Sequence, residues 1–133
     1  MNNRQAVLDK FDGHCAYCGK EITLKEMQVD HFIPKQLGGT AKFENLLPAC
    51  RRCNFYKQDH LLHDFRDLLT TLSDRLLGMF QVKIASDYGI VVIAKWDGIF
   101  YFEKIQNKQL TKDDVLGTWQ DEMALTKVKK ETK

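Results

Sequence analysis

A chain of 133 residues has room for one ordinary domain, long enough to bury a real core. Hydrophobic residues make up 44% and charged residues 29%, a balance that excludes a disordered or fibrous chain. The net charge of +2 does not by itself argue for a polyanionic partner, and no apolar run approaches the roughly 20 residues a membrane helix needs.

In chain order, residues 4–11 read as a short helix, with Val7, Leu8 and Phe11 on one face and Gly13 as its stop. Residues 15–19 make a tight turn. Residues 27–33 read as a strand ending at Pro34, Gly38-Gly39-Thr40 as a loop, and residues 46–49 as a brief extended segment. A helix begins within or just after residues 50–54. Leucines and Phe65 recur at helical spacing over 60–77, which predicts one long amphipathic helix closed by Gly78. Residues 80–85, 90–95 and 99–104 read as strands, the last two joined at Asp97-Gly98 by a type I′ hairpin turn. Thr111 caps a C-terminal helix. With no repeat and no linker, residues 1–133 read as a single α+β domain, a core over about 11–60 and a helix-plus-hairpin extension over about 60–133. Nothing near Met1 suggests a signal peptide, so the expected location is cytoplasmic.

All four cysteines fall in two Cys-x-x-Cys pairs, Cys15/Cys18 and Cys50/Cys53. Two such turns can surround Zn²⁺ tetrahedrally with a closed, structural shell. Two disulfides would need an oxidising compartment, and a redox pair would need only one Cys-x-x-Cys, so zinc is the preferred reading. The gap between the pairs exceeds that of an ordinary zinc ribbon, and a whole loop must be inserted there.

That loop reads Val29-Asp30-His31-Phe32-Ile33-Pro34, then Leu37-Gly38-Gly39-Thr40, then Glu44-Asn45-Leu46-Leu47-Pro48-Ala49. The second pair continues as Cys50-Arg51-Arg52-Cys53-Asn54-Phe55-Tyr56-Lys57. With Tyr17-Cys18-Gly19 ahead of them, these strings resemble, in order, the four-cysteine branch of the HNH endonuclease family. The resemblance covers residues 15–57. It implies a ββα-metal fold, with Asp30 and Asn54 as ligands of a catalytic ion and His31 as general base. It further implies that Asn45 braces the loop and that Lys57 and Arg52 face the phosphate backbone.

Elementary chemistry agrees with those roles. Neighbouring side chains on a strand point to opposite faces, which suits one ligand and one base better than two ligands. A carboxylate and an amide oxygen suit Mg²⁺ or Mn²⁺. A neutral imidazole can take a proton from water near neutral pH. The expected reaction is phosphodiester hydrolysis of nucleic acid, with DNA preferred, leaving a 5′-phosphate and a 3′-hydroxyl. Read singly, the Asp-His pair is a solvated turn and Asn54 a helix cap; enclosure between two zinc half-sites is what draws them together.

His14 is a surface or phosphate-contact residue, and His60 and His63 read as helix-surface residues rather than ligands. Tyr88, Trp96, Phe100, Tyr101 and Phe102 read as core and cover of the hairpin in preference to a base-stacking platform. Lys127, Lys129 and Lys130 belong to a solvated tail. A catalytically inactive zinc-stabilised nucleic-acid-binding module is the main rival function, and a zinc-stapled protein-interaction domain ranks behind it. The strand preference, the cleavage specificity and the choice between monomer and homodimer stay open at this point.

Overall fold

The computed structural model of the protein describes residues 3–106. The chain opens with α1 (Arg4–Asp9), which buries Val7 and Leu8. The first cysteine turn follows, closed by the Gly19 N–H donating to the Cys15 carbonyl at 3.0 Å and the Cys15 N–H to that of Lys20 at 2.8 Å. Strand β1 (Gln28–His31) then runs antiparallel to β2 (Leu46–Ala49), with Asp30 opposite Leu47 and His31 opposite Leu46. Directly after β2 the chain enters α2 (Arg51–Lys57). Cys50 is the cap of that helix, its Sγ accepting from the Cys53 N–H at 3.4 Å. Asn54 is therefore an interior helical residue and not the cap.

The connection between the strands is wound tightly. It carries 3-10 turns at Lys35–Leu37 and Phe43–Asn45. Gly39 sits so close to the Ile33 carbonyl that a Cβ would lie 1.6 Å from its oxygen, so only glycine fits there. From outside, the Lys10 ammonium donates to the carbonyls of Phe43 (2.6 Å) and Leu46 (2.5 Å), tying α1 to the loop.

Beyond α2 the structure departs from the sequence expectations in three ways. The single helix expected over 60–77 is two, α3 (Leu62–Thr70) and α4 (Leu72–Leu77). At the break, the hydroxyls of Thr70 and Thr71 both donate back to the Asp67 carbonyl, at 3.2 and 2.8 Å, a bonding pattern that bends helices. Residues expected as a strand over 80–85 form α5 (Phe80–Asp87). Its end is a Schellman closure: Ile90 N–H donates to Ala85 O at 2.8 Å and Gly89 N–H to Ser86 O at 3.0 Å, with Gly89 at φ +74°. The short apolar alternation that suggests a strand finds no partner strand, and local helical bonding wins.

The expected hairpin is also absent. Residues 90–96 have no regular structure, and the chain turns at Asp97, whose Oδ1 accepts from the Ile99 N–H at 3.0 Å. It then enters α6 (Tyr101–Gln106) instead of returning as a strand. Tertiary contacts decide this. The Tyr101 and Phe102 N–H groups, unpaired within the first turn of any helix, donate to the carbonyls of Tyr17 (3.1 Å) and Ala16 (2.8 Å). Glu103 reaches back to the Phe100 N–H at 2.9 Å and pairs with Arg66 through two contacts of 2.8 and 2.6 Å. The expected helix after Thr111 and the lysines of the tail lie outside the described residues.

One buried cluster joins residues from Val7 to Phe102. Its centre is aromatic: Phe65 stacks on Phe100 with centroids 5.2 Å apart, and Tyr17 meets both edge-on at 5.5 Å. Phe100 and Phe102 are thus core residues, as expected, although no hairpin carries them there, while Tyr88 is exposed. Among the described residues no helix is long and apolar enough to cross a membrane.

Candidate active site

The two cysteine turns converge. All four sulfurs of Cys15, Cys18, Cys50 and Cys53 lie within 4.8 Å of one another, with Cys18 and Cys50 at 3.9 Å. A tetrahedral ion with Zn–S bonds of about 2.3 Å sets its sulfurs roughly 3.8 Å apart, so the set fits structural zinc. The thiols titrate as a crowded group. Hydrogen bonding from Cys53, ahead of other causes, brings Cys15 down to about 5, whereas burial pushes Cys18 up to about 11. Cys53 is held far up, first by that same bond with Cys15. One thiolate is comfortable here and four are not without a cation, which is the demand that zinc meets.

On the other side of α2, a small cavity of about 200 Å³ is lined by Asp30, His31, Pro34, Lys35, Gln36, Asn54, Gln58 and Asp59. Asp30 enters from β1, His31 from the same strand's last position, and Asn54 from α2. Both Asp30 and His31 reach this cavity although they are neighbours on a strand.

Asp30 is 4% exposed. Its Oδ2 accepts from the Tyr17 hydroxyl at 2.5 Å and lies 3.3 Å from the Lys57 ammonium. Among the described residues nothing bonds its Oδ1, nor the side-chain amide of Asn54. Asp30 and Asn54 both line the cavity, and a carboxylate and an amide with oxygen left unbonded by protein fit a hard divalent cation that keeps most of its waters. Burial pushes the Asp30 carboxyl above the usual carboxylate range, and the Lys57 ammonium opposes that shift.

His31 is half-buried, and its imidazole is held below its ordinary 6.5, first by burial and then by the Lys35 ammonium, with Asp30 pulling the other way. It is therefore neutral at physiological pH, the form a general base requires. Behind it, Asn45 is wholly buried. Its Oδ1 accepts from the Ile33 N–H at 2.8 Å, and its Nδ2 donates to the carbonyls of Ile33 (3.1 Å) and Thr40 (2.6 Å). Its backbone carbonyl also takes the Phe32 N–H at 2.8 Å. The side chain thus clasps both ends of the loop that leaves His31.

Neither residue expected to face the phosphate backbone lines this cavity. Lys57 has no exposed surface; besides Asp30 it donates to the carbonyls of His31 (3.2 Å) and Phe32 (3.3 Å). It is an internal brace, because the last turn of α2 faces β1 and not the solvent. Arg52 is exposed but lines a separate, mainly apolar groove of about 960 Å³ beside Cys18, Phe55 and Trp96. Lys35 is exposed at the cavity wall, without a carboxylate partner among the described residues. Its position in the 3-10 turn after Pro34, four residues from His31, is a signal the sequence contains. Tyr17 was equally visible inside the first Cys-x-x-Cys, but nothing in the sequence shows that its hydroxyl finds Asp30. His14 stacks on Tyr101 at 5.4 Å, and His63 lies 3.3 Å from Asp64, so neither joins the cavity.

Residues 15–70 match the family model described as HNH endonuclease. This segment belongs to the HNH endonuclease family. The α+β arrangement of two antiparallel strands followed by a helix, closed by a cysteine knuckle, is the ββα-metal fold of an HNH nuclease. Over 41 residues the chain is 46% identical to the CRISPR-associated endonuclease Cas9 of Corynebacterium diphtheriae, which takes in 30% of this chain and 4% of that protein. Over 59 residues it is 37% identical to the Septu protein PtuB of Bacillus thuringiensis, 41% of this chain and 23% of that one. The crystal structure of the Type II-C Cas9 enzyme from Actinomyces naeslundii aligns at 29% identity and a TM-score of 0.45, covering 48% of this chain and 7% of that one. The chain therefore spans under a quarter of either curated relative's length.

Proposed function

We propose that the chain is a metal-dependent HNH endonuclease that hydrolyses DNA, leaving 5′-phosphate and 3′-hydroxyl ends. The observation that carries this reading is the meeting of Asp30, His31 and Asn54 at one small cavity, inside the segment that matches the family. Asp30 and Asn54 would hold Mg²⁺ or Mn²⁺, which would supply positive charge to stabilise the negative charge that builds during phosphodiester hydrolysis. His31, neutral because burial and Lys35 keep its pKa down, takes a proton from the attacking water. Asn45 fixes the loop that carries His31 out of β1. Lys35, at the cavity wall, faces the backbone phosphate, the part given to Lys57 and Arg52 on sequence grounds. Four zinc-bound thiolates suit a reducing compartment, so the cytoplasm is the proposed location.

The test is cleavage of supercoiled plasmid with Mg²⁺ or Mn²⁺, comparing the wild type with His31→Ala at equal zinc content. Metal-dependent cutting by the wild type alone supports the assignment. If both proteins bind DNA in a salt-dependent manner, hold zinc and cut nothing, the chain is a binding module instead.

A further inference from the structure

The mechanism uses one oxygen of Asp30, and the structure shows what fixes the other. We propose that Tyr17, carried by the first cysteine turn, is the positioning residue that orients Asp30 for its divalent cation. This inference rests on the reading of Asp30 as a metal ligand.

Tyr17 is 3% exposed and donates its hydroxyl to Asp30 Oδ2 at 2.5 Å, on the same oxygen that Lys57 approaches at 3.3 Å. Two donors on Oδ2 hold the carboxylate against rotation about its Cβ–Cγ bond and leave Oδ1, to which none of the described residues bonds, available to a cation. The phenol ring cannot swing away either. It is packed edge-on against Phe65, Phe100 and Phe102, and its backbone carbonyl accepts from the Tyr101 N–H. Because Tyr17 lies between Cys15 and Cys18, whatever holds those sulfurs also holds the hydroxyl. The Tyr17 hydrogen bond thereby ties the first cysteine turn to the proposed ion ligand Asp30, beside the link that α2 makes through Cys53 and Asn54. Groups that hydrogen-bond a metal ligand from behind typically change metal affinity by about 10- to 100-fold when removed.

The experiment is Mn²⁺ binding to the zinc-loaded protein, read by the electron paramagnetic resonance of free Mn²⁺. Wild type, Tyr17→Phe and Asp30→Asn are compared, with zinc content measured in each. Tyr17→Phe keeps the ring and should bind Mn²⁺ about 10- to 100-fold more weakly at full zinc occupancy, while Asp30→Asn abolishes binding. Equal affinity in Tyr17→Phe and wild type overturns the inference and leaves Asp30 as ligand intact. No Mn²⁺ binding by the wild type overturns both the inference and the metal assignment beneath it. A second readout serves if Tyr17→Phe does not fold. In 3-fluorotyrosine-labelled protein, the Tyr17 fluorine resonance, assigned by elimination with Tyr56, Tyr88 and Tyr101 replaced, should move when Mg²⁺ is added. It should stay put in Asp30→Asn, and a resonance unmoved in wild type counts against the proposal.

Discussion

Replacing Lys57 with methionine isolates the buried charge pair beneath the candidate active site. Methionine keeps most of the stem volume, so the change removes charge and leaves little empty space. What is lost is the partner of a carboxylate that is 4% exposed, together with donors to two backbone carbonyls. Breaking a buried pair from one side typically costs about 3–5 kcal/mol, because the remaining charge has neither water nor counter-ion. In an Asp30→Asn background the same replacement strands no charge, and its cost should fall to about 1–2 kcal/mol. The assay is guanidinium unfolding at fixed zinc, followed by tryptophan fluorescence, for the four proteins of the cycle. The pH dependence has a definite sign. Burial raises the Asp30 carboxyl in the folded protein, so its contribution favours folding at low pH and is lost as pH rises through the folded pKa. Without Lys57 that pKa rises further, and the deficit of Lys57→Met relative to wild type should shrink as pH falls through it. A deficit below about 1 kcal/mol, or one equal in both backgrounds, would refute the electrostatic argument.

Other consequences can be checked directly. The imidazole of His31 lies below its ordinary 6.5, so the acid limb of the cleavage–pH profile should have its midpoint below that value; Lys35→Gln should move the midpoint upward, and an unmoved limb would separate Lys35 from His31. Asn45→Ala leaves the buried Ile33 N–H and the carbonyls of Ile33 and Thr40 without their side-chain partner, which should cost about 2–4 kcal/mol in denaturant unfolding at constant zinc. Stripping zinc with a chelator should collapse the knuckle core, seen as loss of helical circular dichroism that returns on adding zinc; a chain that keeps its helices without zinc would contradict this.

The half that matches the family was legible because its signals are chemical. Two Cys-x-x-Cys turns, Asp30-His31-x-x-Pro34 and the paired glycines each demand a particular backbone or ligand, and β1, β2 and α2 form where those demands fall. The role of Lys57 was not legible, since spacing alone cannot tell whether the last turn of a helix faces a strand or the solvent. The second half failed for another reason. Residues 80–85 and 99–104 carry apolar alternation too short to choose between strand and helix. Gly89 in the Schellman closure was a local cue for helix, whereas α6 is decided by the Tyr17 and Ala16 carbonyls, which no local pattern reveals.

The docking of residues 100–102 onto the first knuckle bears on modularity. The segment that matches the family ends at residue 70, yet the rings of Tyr17 and Phe65 are covered by Phe100, which lies well beyond it. A fragment cut at that boundary would expose the faces that its own zinc turn and α3 turn inward. In this protein the segment that matches the family is not a transplantable cassette: grafted into another chain, it would need a replacement for Phe100 and Phe102 before it could hold Asp30 in place.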